Sequence, residues 1–254
     1  MKYVKNSKAL LLPALLALFG LFGCASGGPG IGGTDTPLQL ASTLETIPVQ
    51  SVDDNGAVLP YEARENPYLS ERGRVNKESV LSFIEARRAL KDGNLEQAQK
   101  VLLELTVAND RLSGPWVKLG DIAMEQNDDQ LAASHYTKAI AVNDSNVNAY
   151  LRLAHVQRLQ GKFLLAQNTY AKLLSIWPDF PEAHLNLAIL YDVYLNHPLR
   201  AQKHMEAYQF LTGSENEKVA GWLEEIRLRT GIAPGFDIEA DPETANSDSL
   251  SFNK

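Results

Sequence analysis

The sequence predicts an all-α solenoid of about four antiparallel helix pairs, closed by one further helix. Three observations predict it. Trp116 and Tyr150, Leu119 and Leu153, and Gly120 and Ala154 are each 34 residues apart. The same step separates Ala98, Ala132 and Ala166, and Tyr136 from Tyr170, while Ala201 follows Ala166 by 35. Gly93, Asn127 and Gly161 keep the step at a turn. Self-similarity at such a period marks stacked repeats, because one pair cannot bury its apolar face alone.

The chain opens on an address. Lys2, Lys5 and Lys8 precede an apolar run from Ala9 to Phe22. That run has the length of a secretory signal core and is too short for a good membrane span. Residues 1–23 are therefore expected to be a signal peptide. Leu21-Phe22-Gly23-Cys24 resembles a bacterial lipobox, with Phe22 bulkier than is usual at its place. The resemblance implies lipidation at Cys24, the only cysteine. Ala25 and Ser26 follow where an aspartate would imply inner-membrane retention, so the implied place is the outer membrane of a Gram-negative cell, facing the periplasm.

Residues 24–74 read as a flexible, lipid-anchored linker. Gly27 to Gly33 is glycine-rich, and Pro37, Pro48, Pro60 and Pro67 break regular structure. A solvated coil of about 50 residues would reach ~40 Å. Leu38-Gln39-Leu40 and Ile47-Pro48-Val49 are short apolar pieces able to dock.

The helical body is expected over 75–230. Asn76–Lys91 carries Val80, Phe83, Ile84 and Leu90 at helical spacing, and Leu95–Thr106 returns after Asp92-Gly93-Asn94. Ser113 is a candidate N-cap, with Pro115 in the first turn, for a helix through Glu125. Asp128–Val142 pairs with it. Asn146–Leu159 and Lys162–Ile176 form the next pair, ended by Trp177-Pro178. Pro181–Tyr194 and Leu199–Leu211 flank Asn196-His197-Pro198. Ser214 caps a last helix over 215–230, with Val219, Trp222, Leu223 and Ile226 on one face. The segment 231–254 carries Asp237, Glu239, Asp241, Glu243 and Asp248 and reads as a disordered acidic tail.

The repeated residues resemble the tetratricopeptide repeat (TPR) family. One copy reads Trp116, Leu119, Gly120, Asn127, Ala132, Tyr136, Ala139, Asp144; the next reads Tyr150, Leu153, Ala154, Gly161, Ala166, Tyr170, Leu173, Pro178. Copies are expected at about 79–112, 113–146, 147–180 and 181–214. The first keeps Ala86, Gly93, Ala98 and Leu102 but has Ser82 and Glu85 where an aromatic and a leucine are expected. The last keeps Leu187, Ala188, Tyr191 and Ala201 and has one extra residue near Asn196–Leu199. The resemblance implies that the first helix of each pair lines a groove for an extended peptide or a helix. By position that gives Phe83, Arg87 and Leu90, then Val117, Asp121 and Met124, then Leu151, His155 and Arg158, then Leu185, Ile189 and Asp192.

Composition narrows the function. A net charge of −7 argues against a nucleic-acid partner, and loss of the leader removes three lysines and no acids. Cys24 alone permits neither an intramolecular disulfide nor a cysteine-rich zinc site. His135, His155, His184, His197 and His204 are scattered, and no Gly-x-Ser-x-Gly elbow or strand-linked phosphate loop is present. The expectation is a non-enzymatic scaffold without cofactor or small-molecule substrate, bound to other proteins of the cell envelope. Similar TPR lipoproteins imply two specific roles: assembly of a pilus or secretion pore, and docking of cell-wall hydrolases.

Overall fold

The computed structural model describes residues 38–70, 73, 75–213 and 216–233. The leader, Cys24, the Gly27–Gly33 stretch, Ser214 and the tail from 234 lie outside the described residues. A short helix α1 (Pro67–Ser70) precedes four pairs: α2 (Lys77–Lys91) with α3 (Leu95–Ala108), α4 (Ser113–Glu125) with α5 (Asp129–Val142), α6 (Val147–Leu159) with α7 (Phe163–Ile176), and α8 (Pro181–Ile189) with α9 (Pro198–Thr212). The helix α10 (Glu217–Thr230) closes the stack.

Turn chemistry sets the beat. Gly93, Asn127 and Gly161 adopt left-handed backbone with φ of 74°, 60° and 72°. At each, the next residue's N–H reaches back five positions: Asn94 to Ala89 O, Asp128 to Ala123 O, Lys162 to Gln157 O, all at 2.9 Å. This satisfies carbonyls that a helix end leaves open and reverses the chain tightly. Asn94 and Asp128 also cap the helices they begin, accepting from Gln97 N and Leu131 N.

Small residues let the helices approach. Ala98, Ala132, Ala166 and Ala201 are fully buried at the same place in successive second helices. Leu119, Gly120, Tyr136, Tyr150, Ala154, Tyr170 and Ala188 are buried, while Trp116 and Leu153 pack half-exposed against this core and Pro178 is half-buried. The apolar core runs from Ala86 and Leu102 at one end to Leu223 and Ile226 of α10 at the other.

The extra residue of the fourth copy is absorbed by a π-helical segment, Leu190–Leu195, which continues α8. The left-handed turn there falls at Asn196 (φ 54°), one residue beyond the 34-step, and His197 N reaches Tyr191 O at 2.9 Å. A wider π turn is how a helix takes one insertion without losing its neighbours. Ser113 does not cap α4: Leu112 holds that position, and the Ser113 hydroxyl instead accepts from Asn146 Nδ2 at 2.9 Å. The last helix is capped by Asn216, which accepts from Lys218 N and Val219 N.

The linker expected over 24–74 is corrected for 38–70, which pack on the helices as a strap. Thr43, Thr46, Ile47 and Pro48 are buried. Gln167 reads the strap backbone at both ends: Ala41 N donates to its Oε1 at 2.9 Å, and its Nε2 donates to Ala41 O at 2.8 Å. Asn168 accepts from Ala41 N at 2.9 Å and donates to Gln39 O at 3.0 Å. Further along, Tyr61 Oη and Arg64 N each donate to the Asp179 carboxylate at 2.6 Å, and Trp177 Nε1 donates to Arg64 O at 2.8 Å. Apart from a short 3-10 turn at Leu44–Thr46 and α1, the strap is irregular, and side-chain amides and a carboxylate pair its backbone in place of a helix or sheet ladder. A small hairpin interrupts the strap, with Val52 bridged to Val58 around Gly56.

Candidate functional site

The first helices of the pairs form one face, and between them opens a cleft of about 300 Å³. Met124 of α4, Tyr136 of α5, Leu151, Arg152, His155 and Val156 of α6, and Asn186 of α8 line it. Helix periodicity explains the set. Leu151, Arg152 and His155 share the outward side of α6, and Met124 enters from the last turn of α4.

The floor is apolar and the rim carries charge. Asp121 accepts from Lys118 Nζ at 2.8 Å, Arg152 Nε at 2.6 Å and Tyr136 Oη at 3.0 Å. Two cations on one carboxylate leave this rim cationic within an acidic chain. Arg158 donates to Tyr194 Oη at 3.1 Å and lies 5.6 Å from that ring's centre. Its other nitrogen donates to His155 Nδ1 at 3.3 Å, so His155 presents Nε2–H. Burial, with Arg158 beside it, lowers the His155 pKa and keeps the ring neutral at pH 7. Burial and then Asp121 raise the Tyr136 pKa, so its phenol stays protonated and donates.

The residues expected to line the groove divide into groups. Met124, Leu151 and His155 line the cleft, with Asp121 and Arg158 beside it. Arg87 is exposed on α2. Phe83 and Leu90 are half-buried and pack on the first pair's core. Leu185 packs on the core of the last pairs, and Ile189 is half-buried. Two expectations are corrected. Val117 is buried between repeats, with 6% of its surface exposed. Asp192 is taken by α10: Trp222 Nε1 donates to it at 2.7 Å and Arg229 at 2.6 Å, leaving 8% of its side chain exposed.

Sequence reasoning missed Lys118, Arg152 and Asn186. They occupy one periodic column, Ile84, Lys118, Arg152, Asn186, one residue past the column Phe83, Val117, Leu151, Leu185. Part of the signal was present: the column of Ile84 turns polar in three copies, while the column of Phe83 stays apolar in all four.

No family model matches the sequence, and no curated protein does. Solved structures do match its fold. MamA from Desulfovibrio magneticus RS-1 is 19% identical with a TM-score of 0.53, covering 62% of this chain and 88% of that one. A tetratricopeptide repeat protein from Parabacteroides merdae is 21% identical with a TM-score of 0.53, covering 61% and 62%. PilF of Pseudomonas aeruginosa is 17% identical with a TM-score of 0.53, covering 60% and 68%. With the 34-residue beat, the left-handed turns and the small-residue seams, the described chain has the tetratricopeptide-repeat fold: four helix pairs and a closing helix.

Proposed function

We propose that the protein is a non-enzymatic scaffold that holds a segment of another cell-envelope protein in the cleft on its first-helix face. The observation that carries this reading is the cleft: an apolar floor of Met124, Leu151 and Val156 beneath Arg152, His155 and Asn186. A floor of adaptable apolar groups with a few fixed polar ones accepts a partner side chain and orients its backbone. The cationic rim favours a partner carrying a carboxylate near the docked apolar residue.

The body is held to the bilayer through lipid on Cys24, at the periplasmic side of an outer membrane. Lipid chains stabilise membrane attachment by about 0.8 kcal/mol per buried methylene. Because the strap docks from Leu38 on, only residues 25–37 separate the anchor from the body. Thirteen residues span at most ~45 Å, which bounds how far the start of the strap can stand from the anchor.

A photo-reactive amino acid at Leu151 should capture a partner in cells, while the same group at Val107, exposed on α3, should not. Equal capture from both positions would move the site off the cleft. Separately, Cys24→Ser should release the protein from membranes; continued sedimentation with the outer membrane would exclude the lipid as anchor.

A further inference from the structure

Beneath the strap lies a hydrogen-bonded chain whose direction is fixed from one end. His184 Nε2 lies 2.7 Å from Pro178 O, and a carbonyl only accepts, so Nε2 carries the hydrogen. The Nδ1 of neutral His184 is then an acceptor. His204 Nδ1, 2.9 Å away, must donate to it, which makes His204 Nε2 an acceptor. Thr43 Oγ1, 2.8 Å from that nitrogen, donates to it. Tyr191 Oη, 3.1 Å from Thr43 Oγ1, donates in turn, and Gln167 Nε2 donates to Tyr191 Oη at 2.7 Å. The same Gln167 amide clamps Ala41 of the strap at both its oxygen and its nitrogen. Thr43, Gln167, His184, Tyr191 and His204 are all buried.

One added proton cannot be absorbed by this chain as it stands. A second hydrogen on either imidazole reverses the donors, so that His204 Nε2–H points at Thr43 and the Thr43 hydroxyl at Tyr191. The Tyr191 hydrogen then faces the Gln167 NH₂ group, donor against donor. Turning the Gln167 amide relieves this clash but sets its NH₂ against Ala41 N–H and its oxygen against Ala41 C=O. The alternative, Thr43 or Tyr191 accepting from both of its neighbours, keeps the clamp but leaves a buried hydroxyl hydrogen without an acceptor among these partners, so the protonated chain weakens the clamped strap either way.

We propose that His184 and His204 form a proton-binding site that latches the strap: neutral, they hold residues 39–47 on α7 and α9, and protonated, they release them. The groups around the pair agree in sign. From α9, Arg200 places its guanidinium 5.8 Å from the Tyr191 ring and opposes charge on His204. From the π segment and its end come Tyr191 and His197, whose rings meet edge-on with centres 6.1 Å apart. From the α7–α8 connection, Asp179 favours a charged His184, but it is occupied by Tyr61 and Arg64 of the strap itself. Burial dominates for both: His184 is held down at about 4, and His204 well below its usual value. Release therefore begins as pH falls below the ordinary histidine value of 6.5. Where the anchor at Cys24 operates, a reading on which this consequence alone rests, release lengthens the tether by the freed strap.

Amide exchange of the full chain tests the latch, with rates corrected for the intrinsic effect of pH. Between pH 7.5 and pH 5, strap residues 39–50 should open at least about tenfold more than α5 does. His204→Gln supplies an amide donor and acceptor in the places of the neutral ring and should shrink that difference. Thr43→Val should expose the strap already at pH 7.5, leave α5 unchanged and remove the pH response. A strap that follows α5 through the whole range, or a Thr43→Val protein that keeps the wild-type pH response, overturns the proposal. Neither readout depends on membrane attachment, so this inference and the anchor fail separately.

Discussion

The ring of Tyr136 occupies the space that a side chain on Gly120 would need. A β-carbon built on Gly120 would stand 2.4 Å from Tyr136 Cε1 and 2.7 Å from Cδ1. The ring cannot retreat, because it is buried and its hydroxyl is tied to Asp121 at 3.0 Å. Gly120→Ala should therefore destabilise the protein by ~1–3 kcal/mol through overpacking, despite alanine's better helix propensity. Gly221 of α10 is the control: nothing lies within 4 Å of its added β-carbon, so Gly221→Ala should stabilise by ~0.5–1 kcal/mol. Urea midpoints for the two variants should move in opposite directions. A shift in the same direction would disprove the close approach.

Asp192 should matter to the closing helix. It accepts from Trp222 of α10 and from Arg229 near that helix's end. Asp192→Ala strands the Trp222 N–H, at a cost of about 1–3 kcal/mol. Limited trypsin digestion should then cut at Arg227 and Arg229 before the body unfolds. Unchanged cleavage rates would mean that apolar packing of Val219, Leu223 and Ile226 holds α10 without help.

Asp179 fastens the second half of the strap. Asp179→Ala removes the acceptor for both Tyr61 Oη and Arg64 N. Cleavage at Arg64 by trypsin should accelerate at least tenfold while the core helices keep their circular dichroism. Cleavage as slow as in the parent would show that the edge-on Tyr61–Phe210 contact, at 4.8 Å between centres, suffices.

Global stability should fall on acidification. Burial lowers the pKa of His184, His204, His135 and His155 alike, with neighbouring cations adding to the effect at His204 and His155. A lowered folded-state value means that the unfolded chain takes up protons first. Stability is complete above pH 6.5 and is lost as pH falls towards about 4 for His184. His184 alone accounts for about 2–3 kcal/mol by pH 4.5. Urea unfolding at pH 7.5 and 4.5 measures the difference, and His184→Gln should reduce it.

The helical body was legible because repetition averages out local ambiguity. Ala98, Ala132 and Ala166 recur at one step only if the backbone around each makes the same approach, and Gly93, Asn127 and Gly161 recur because each turn needs φ above zero. The strap carries no such redundancy. Thr43 and Gln167 are 124 positions apart, and nothing local says that they share a hydrogen-bonded chain. The prolines that argued against helix or strand there said nothing about docking. At the site, neighbouring columns of a helix differ by about 100° of rotation. Val117 and Leu151 share one column, yet Val117 is buried between repeats while Leu151 lines the cleft, so the column alone did not decide which of its members faces outward.

Open stacks of helix pairs touch only their neighbours, and so they bend like springs and fray from the ends. Here the segment from Ala41 to Tyr68 touches three of the four pairs: Gln167 on α7, His204 on α9, Asp179 between α7 and α8, and Ser113 at the start of α4. It therefore adds ties between pairs that are not neighbours in sequence with it, beyond the pair-to-pair packing on which such a stack otherwise depends.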